Sequence, residues 1–344
     1  MVRFCCDYDE GAHPLILKKL AETNFLQTAG YEEDEYCDEA AQMICKACGK
    51  EDLAVHFLVG GTQTNLTVIA AALRSHQCAI CADTGHINVH ETGAIEATGH
   101  KVFALPSADG KLTAAQVQAA IDEHSGDSAR EHMAQPKLVY LSHPTELGTL
   151  YTKQELTEIS DVCREKELIL YVDGARLGYA LGAAANDINL PDLAKLCDIF
   201  YIGGTKVGAL FGEALVIVSQ DLREDFRYLI KQRGGMLAKG RLLGIQFGEL
   251  FRNGLYTTLG AQATALALKI RGVLEEKGYP FLVDSPTNQQ FVIFPDEVLD
   301  RLSEKYVFSY QKRMDRTHSA VRICTSWATT PEQAEELIRD IRAQ

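Results

Sequence analysis

Asp198-Ile199-Phe200-Tyr201-Ile202-Gly203-Gly204-Thr205-Lys206 is an apolar run that ends in two glycines, a threonine and a lysine. A short run of isoleucine and aromatic residues bounded by turn formers predicts a buried strand. The stretch therefore points one lysine out of the end of a buried element. Burial disfavours the charged form of a lysine, lowers its pKa and leaves a neutral amine that attacks carbonyls. Upstream, Leu168-Ile169-Leu170-Tyr171-Val172 ends in the same manner at Asp173-Gly174-Ala175-Arg176. An acid and a lysine at the C-terminal ends of two strands meet the needs of pyridoxal 5′-phosphate. Lys206 holds it as a Schiff base, and Asp173 keeps the pyridine nitrogen protonated as an electron sink.

Outward from these two strands the pattern repeats. Apolar runs at 54–59, 78–82, 100–105, 137–142, 168–172, 199–202 and 214–218 predict seven strands. Helical patterns at 64–75, 113–124, 153–166 and 191–196 lie between them. Thr113 and Thr152 each precede an apolar-periodic stretch, as N-caps do. Strands alternating with helices imply right-handed crossovers and a mainly parallel seven-stranded sheet, with ligands at the carboxyl ends of its strands. After residue 240 the rhythm changes. A long helix over 242–277 breaks near Arg252-Asn253-Gly254; then come a strand at 290–294, a helix from Asp296, a strand at 320–324 and a helix from Pro331. The expected division is a large cofactor-binding α/β domain over 1–240 and a small α+β domain over 241–344.

A length of 344 residues suits two such units, and 46% hydrophobic with 24% charged residues is ordinary for a globular chain. The net charge of −13 argues against nucleic acid and anionic membranes as partners. No apolar signal core opens the chain and no uncharged run approaches a membrane span, so a cytoplasmic, reducing location is expected. The pairs Cys45/Cys48 and Cys78/Cys81 have zinc-like internal spacing, but the gap between them is too long for a zinc ribbon; we read them as buried thiols and expect no metal. The run Glu32-Glu33-Asp34-Glu35 reads as a solvated turn.

Gly60-Gly61-Thr62-Gln63-Thr64-Asn65 follows one strand and opens a helix, where free backbone N–H groups suit a phosphate. His86, just past the next strand, offers a flat imidazole to stack on a pyridine ring. Arg176, three residues beyond Asp173, is expected near that carboxylate or a phosphate. The order of glycine loop, histidine, Asp-Gly-Ala-Arg and Gly-Gly-Thr-Lys is far more specific than any of its pieces.

With these motifs in that order, the chain resembles the threonine aldolase and β-eliminating lyase group of pyridoxal-phosphate enzymes, of fold type I, over nearly its whole length. The resemblance implies Gly61, Thr62 and Gln63 for the cofactor phosphate, His86 for ring stacking, Asp173 for the pyridine nitrogen, Arg176 near the cofactor and Lys206 for the Schiff base. It implies Arg322 as the grip on the substrate carboxylate, and Tyr31 as a tyrosine that reaches across a subunit interface in a homodimer or homotetramer.

Three departures stand out. Many threonine aldolases carry Thr-His-Asn-Gly where this chain has Thr145-Glu146-Leu147-Gly148, so Glu146 replaces a candidate base. Arg-Ser-Asp becomes Cys5-Cys6-Asp7, which puts Cys6 beside the substrate, and Gly-Gly-Met-Arg becomes Gly234-Gly235-Met236-Leu237. The expected activity is cleavage of L-threonine, L-allo-threonine or a related β-hydroxy-α-amino acid to glycine and an aldehyde, with His86 or Glu146, directly or through water, as base. β-Elimination or transamination on another amino acid is the alternative, and a non-catalytic cofactor-binding protein a remote one.

Overall fold

The computed structural model describes all of Met1–Gln344. Its strands are β1 (Val2–Arg3), β2 (Ala54–Leu58), β3 (Gln77–Ala82), β4 (Lys101–Leu105), β5 (Gln135–Ser142), β6 (Ile169–Asp173), β7 (Ile199–Gly203), β8 (Glu213–Ile217), β9 (Gln289–Pro295), β10 (Tyr306–Val307), β11 (Ser309–Arg313) and β12 (His318–Cys324). Seven of them form one sheet in the order β2-β8-β7-β6-β5-β3-β4. All run parallel except β8, which is antiparallel to both of its neighbours. All seven expected strands are present, shifted by one or two residues at their ends. Strands β3, β7 and β8 are buried along their whole length, as sequences with few polar interruptions must be when helices cover both faces.

Capping chemistry sets several helix starts. Thr113, Thr152, Asn189 and Thr330 each form a reciprocal capping box with the residue three positions on. The helix expected from Thr64 begins at Gly61, directly on the glycine pair, and Gly60 gives it no side-chain cap. The expected break near residue 253 is real: Asn253 and Gly254 adopt left-handed φ of 54° and 70° between the helices Arg241–Phe251 and Leu255–Glu276.

The smaller unit is built on the antiparallel sheet β11-β12-β9. Its core includes Phe4, and β1 pairs in parallel with β10, so the extreme N-terminus packs with the C-terminal residues. Helix Leu255–Glu276 runs from one core to the other: Leu259 and Ala263 lie in the large one, Ile270 and Leu274 in the small one. Leu243, Phe247 and Leu250 also belong to the large core. We propose keeping the two-unit division, with Arg241–Phe251 assigned by packing to the large unit and the first residues to the small one.

The acidic run is not a solvated turn throughout. Asp34 is buried as the N-cap of helix Glu35–Ala47, accepting from the backbone N–H of Tyr36 at 3.1 Å and Cys37 at 3.0 Å. Glu32, at a left-handed φ of 66°, turns its carboxylate inward to accept from Phe57 N–H at 3.2 Å. Unsatisfied donors at a helix start and along a sheet edge drew the two acids inside.

Candidate active site

Parallel strands deliver their loops to one edge, and that edge assembles the site. Strand β2 leads to Gly60–Gly61, β3 to His86, β5 to Glu146, β6 ends on Asp173 and β7 leads to Lys206. The antiparallel β8 begins there with Glu213, in register with both Leu58 and Gly203. An inner cavity of about 290 Å³ is lined by Gly60, Gly61, Thr62, His86, Asp173 and Lys206, among others. An outer cavity of about 760 Å³ shares Tyr8, His86, Glu146, Arg176 and Lys206 with it and extends to Tyr310 and Arg322 of the small unit.

Lys206 lies where the two cavities meet. Burial, then the Arg176 charge, lowers its pKa below the ordinary lysine value, against the pull of Asp7, Glu213 and Asp173. The turn that carries it is fastened by Glu213, which accepts from Gly204 N–H at 3.1 Å and from the Thr205 hydroxyl at 2.9 Å. Burial pushes Glu213 up to about 8, against the opposing Lys206 charge. Asp173 is 4% exposed. It accepts from the Tyr140 hydroxyl at 2.6 Å, the Asn65 amide at 3.1 Å and Ala175 N–H at 3.0 Å. Burial works against its charge, but His86 and then the hydroxyls of Tyr140 and Tyr201 hold its pKa below the usual aspartate value.

His86 Nδ1 sits 2.7 Å from Oε1 of the buried Glu91. Burial opposes a charged ring, yet Glu91 and Asp173 outweigh it and raise the His86 pKa. Glu146 Oε1 accepts from His86 N–H at 2.9 Å and from the Ser142 hydroxyl at 2.6 Å. Burial raises its pKa, with Asp173 adding to the effect and Ser142 opposing it.

The other expected residues are placed as follows. Arg176 does not pair with Asp173: it forks onto Asp7, Nε to Oδ2 at 2.8 Å and Nη2 to Oδ1 at 3.0 Å. Gln63 spends its side chain on the backbone, accepting from Val59 N–H at 3.2 Å and donating to Arg233 O at 3.1 Å, while Gly61 and Thr62 line the inner cavity. Arg322 is in the outer cavity; Nη1 donates to Gln289 at 3.0 Å and Nη2 to Cys5 O at 2.7 Å, and Nε is buried without a partner. Cys6 lines neither cavity; it clusters with Cys5 and Asp9, its thiol pushed up to about 12 by burial. Tyr31 lines neither cavity and is 43% exposed, with Lys231 Nζ 4.7 Å over its ring.

Sequence reasoning missed Asp7, Asn65, Glu91, Tyr140 and Glu213. Only Asp7 and Asn65 stand in motifs quoted above; Asp7 meets Arg176 169 residues away and Asn65 meets Asp173 108 residues away.

The β-eliminating lyase family model matches residues 16–297. The chain belongs to the β-eliminating lyase family. The low specificity L-threonine aldolase of Pseudomonas aeruginosa is 29% identical, over 99% of this chain and 97% of its own. The solved threonine aldolase of Leishmania major is 44% identical with a TM-score of 0.97, over 100% of this chain and 99% of its own. The alanine–glyoxylate aminotransferase from Nostoc, 16% identical with a TM-score of 0.72 over 100% and 95% of the two chains, shares the fold. The fold is therefore fold type I, and the cofactor of this lyase is pyridoxal 5′-phosphate.

The residues present fit that group. A helix start without a side-chain cap offers N–H groups to the phosphate. A Cβ at Gly61 would come within 3.0 Å of the Tyr201 hydroxyl, so the glycine keeps this cradle open. Asp173 would supply the anion for the ring nitrogen and Lys206 the amine for the aldehyde.

Proposed function

We propose that this chain is a pyridoxal-phosphate-dependent carbon–carbon lyase cleaving L-threonine, L-allo-threonine or a related β-hydroxy-α-amino acid to glycine and an aldehyde. The observation that carries this reading is the position of Lys206 between Asp173 in the inner cavity and Arg322 in the outer one. Similarity to proteins named threonine aldolases supports the substrate class.

When bound, the cofactor supplies an electron-poor ring that accepts the electron pair of the breaking Cα–Cβ bond. The chain's own groups do the rest. The N–H groups of Gly61 and Thr62 hold the phosphate, and Asp173 keeps a proton on the ring nitrogen. Burial and the Arg176 charge disfavour the Lys206 ammonium and so favour its nucleophilic amine. Arg322, which lines the outer cavity, takes the substrate carboxylate beside Arg176, whose own fork is held still by Asp7. His86 and Glu146, which face both cavities, are the two candidates for taking the β-hydroxyl proton. The outer cavity receives the β-substituent, and its size suits more than one aldehyde.

A second copy of the chain completes the assembly as a homodimer or homotetramer. Tyr31 supports this, being exposed beside Tyr228, itself 76% exposed, and lining neither of the two site cavities. No helix is long and apolar enough to cross a membrane. All ten cysteines are free thiols, which supports a reducing compartment, the cytoplasm.

Product analysis tests the reading. Glycine and aldehyde released in equal amounts from L-threonine support it; a keto acid with ammonia moves it to β-elimination.

A further inference from the structure

The roles above leave one buried carboxylate unused. Glu91 has no exposed side-chain surface, and its Oε1 lies 2.7 Å from His86 Nδ1. Asn65 Nδ2 donates to the same Oε1 at 2.6 Å and to Asp173 Oδ2 at 3.1 Å. Two carboxylate acceptors require the amide's NH₂ on that side, and the Tyr171 hydroxyl, 2.6 Å from Asn65 Oδ1, occupies the other. The amide orientation is thus settled by its partners. An oxygen that already takes an Asn65 proton offers His86 Nδ1 an acceptor, so the shared proton belongs to the ring. His86 Nε2 has no protein partner, and the ring borders both cavities. Glu91 Oε2 is buried with no partner, an arrangement that packing alone does not explain.

We propose that Glu91 is a positioning residue for the lyase reaction. Through its contact with Nδ1 it fixes His86 in the tautomer and orientation that leave Nε2 as the proton acceptor facing the substrate, and Asn65 keys this pair to Asp173. The assignment rests on the lyase reading and decides between its two candidate bases in favour of His86. A carboxylate behind an imidazole also makes the far nitrogen more basic. The other charged groups around the ring are Asp173, which adds to that effect, and Lys206, which opposes it. The His90 ring is 5.6 Å away, and Glu146 holds the His86 backbone N–H.

The test uses the full-length chain with ¹⁵N-labelled histidine, with and without added pyridoxal 5′-phosphate, as wild type, Glu91→Gln and Glu91→Asp. Ring shifts give the tautomer and titration of His86, and glycine release gives the pH profile. In the wild type the neutral His86 ring carries its proton on Nδ1. Removing the carboxylate lowers the His86 pKa, so the acid limb of kcat in Glu91→Gln moves to lower pH by the same interval, and kcat falls about 10- to 100-fold. Glu91→Asp restores most of the titration. A wild-type ring protonated on Nε2 overturns the proposal, and that reading does not depend on any variant folding. So does a Glu91→Gln variant that loses activity while its His86 titration stays in place. A wild type with the expected tautomer but no glycine release would sink the lyase reading alone, leaving the Glu91–His86 pairing intact.

Discussion

Arg176 and Asp7 form a two-bond ion pair across 169 residues, with Asp7 fully buried and a third bond reaching it from Asn288 at 3.0 Å. One carboxylate thus joins the N-terminal segment, the turn after β6 and the small unit at the wall of the substrate cavity. Burial works against its charge, yet Arg176 and then Lys206 draw its pKa down to about 2.

The pair makes the fold acid-sensitive in a defined window. Because the folded pKa of Asp7 is depressed, its contribution is complete above the unfolded aspartate value and is lost as pH falls through about 2. Linkage puts that contribution at about 2 kcal/mol. Asp7→Asn removes this part of the acid limb and leaves Arg176 buried without a counter-charge, at a cost of about 3–5 kcal/mol near neutrality. Thermal melts of both proteins between pH 2 and pH 7, an interval spanning both pKa values, check the two effects.

Arg322 is assigned to the substrate carboxylate. Arg322→Gln raises KM for L-threonine by about 10- to 100-fold, the worth of a hydrogen bond to a charged group, with a smaller change in kcat. Equal losses in kcat and kcat/KM would remove the arginine from ground-state binding.

The two candidate bases separate by substitution. His86→Asn lowers kcat by about 10²- to 10⁴-fold, the range for loss of a general base. Glu146→Gln keeps an acceptor for Ser142 and for His86 N–H, and holds kcat within about tenfold of the wild type. Steady-state rates of glycine release compare them, and the reverse order would transfer the role to Glu146.

Glu32 predicts the opposite pH trend to Asp7. Burial pushes its carboxyl up to about 7, and Oε1 has no partner. A raised acid contributes stability below its unfolded pKa and loses it as pH rises through the folded one, so Glu32 destabilises the chain progressively from about 4.5 to about 7. Glu32→Gln removes that penalty and raises stability above pH 7 by up to about 3 kcal/mol, with little gain at pH 4, as denaturant melts would show.

The strands of the main sheet were legible because they are apolar on both faces and end in turn residues. Lys206 and Asp173 were legible for the same reason: each stands where such a run stops. Strand β11, Ser-Tyr-Gln-Lys-Arg, was not, since its mostly exposed side chains carry no apolar alternation. Glu91 was hidden because its meaning lies in His86 and Asn65, and no periodicity announces a buried ion pair. Arg176 is expected near the Asp173 carboxylate or a phosphate on its three-residue spacing, whereas β6 ends at Asp173 and the turn after it sends the guanidinium to Asp7. Gln63 stood in a loop read correctly as a helix start, but the Val59 and Arg233 backbone groups claimed its amide.

The most direct measurement follows the visible spectrum of the pyridoxal-phosphate-loaded chain as L-threonine is added, with glycine and acetaldehyde assayed in the same tube, for the wild type and Lys206→Ala. The account predicts a cofactor band that shifts on addition while glycine and acetaldehyde accumulate together in the wild type, and loss of both the covalent linkage and turnover in Lys206→Ala. Full turnover by Lys206→Ala, or a wild-type band that shifts while no glycine forms, would contradict it.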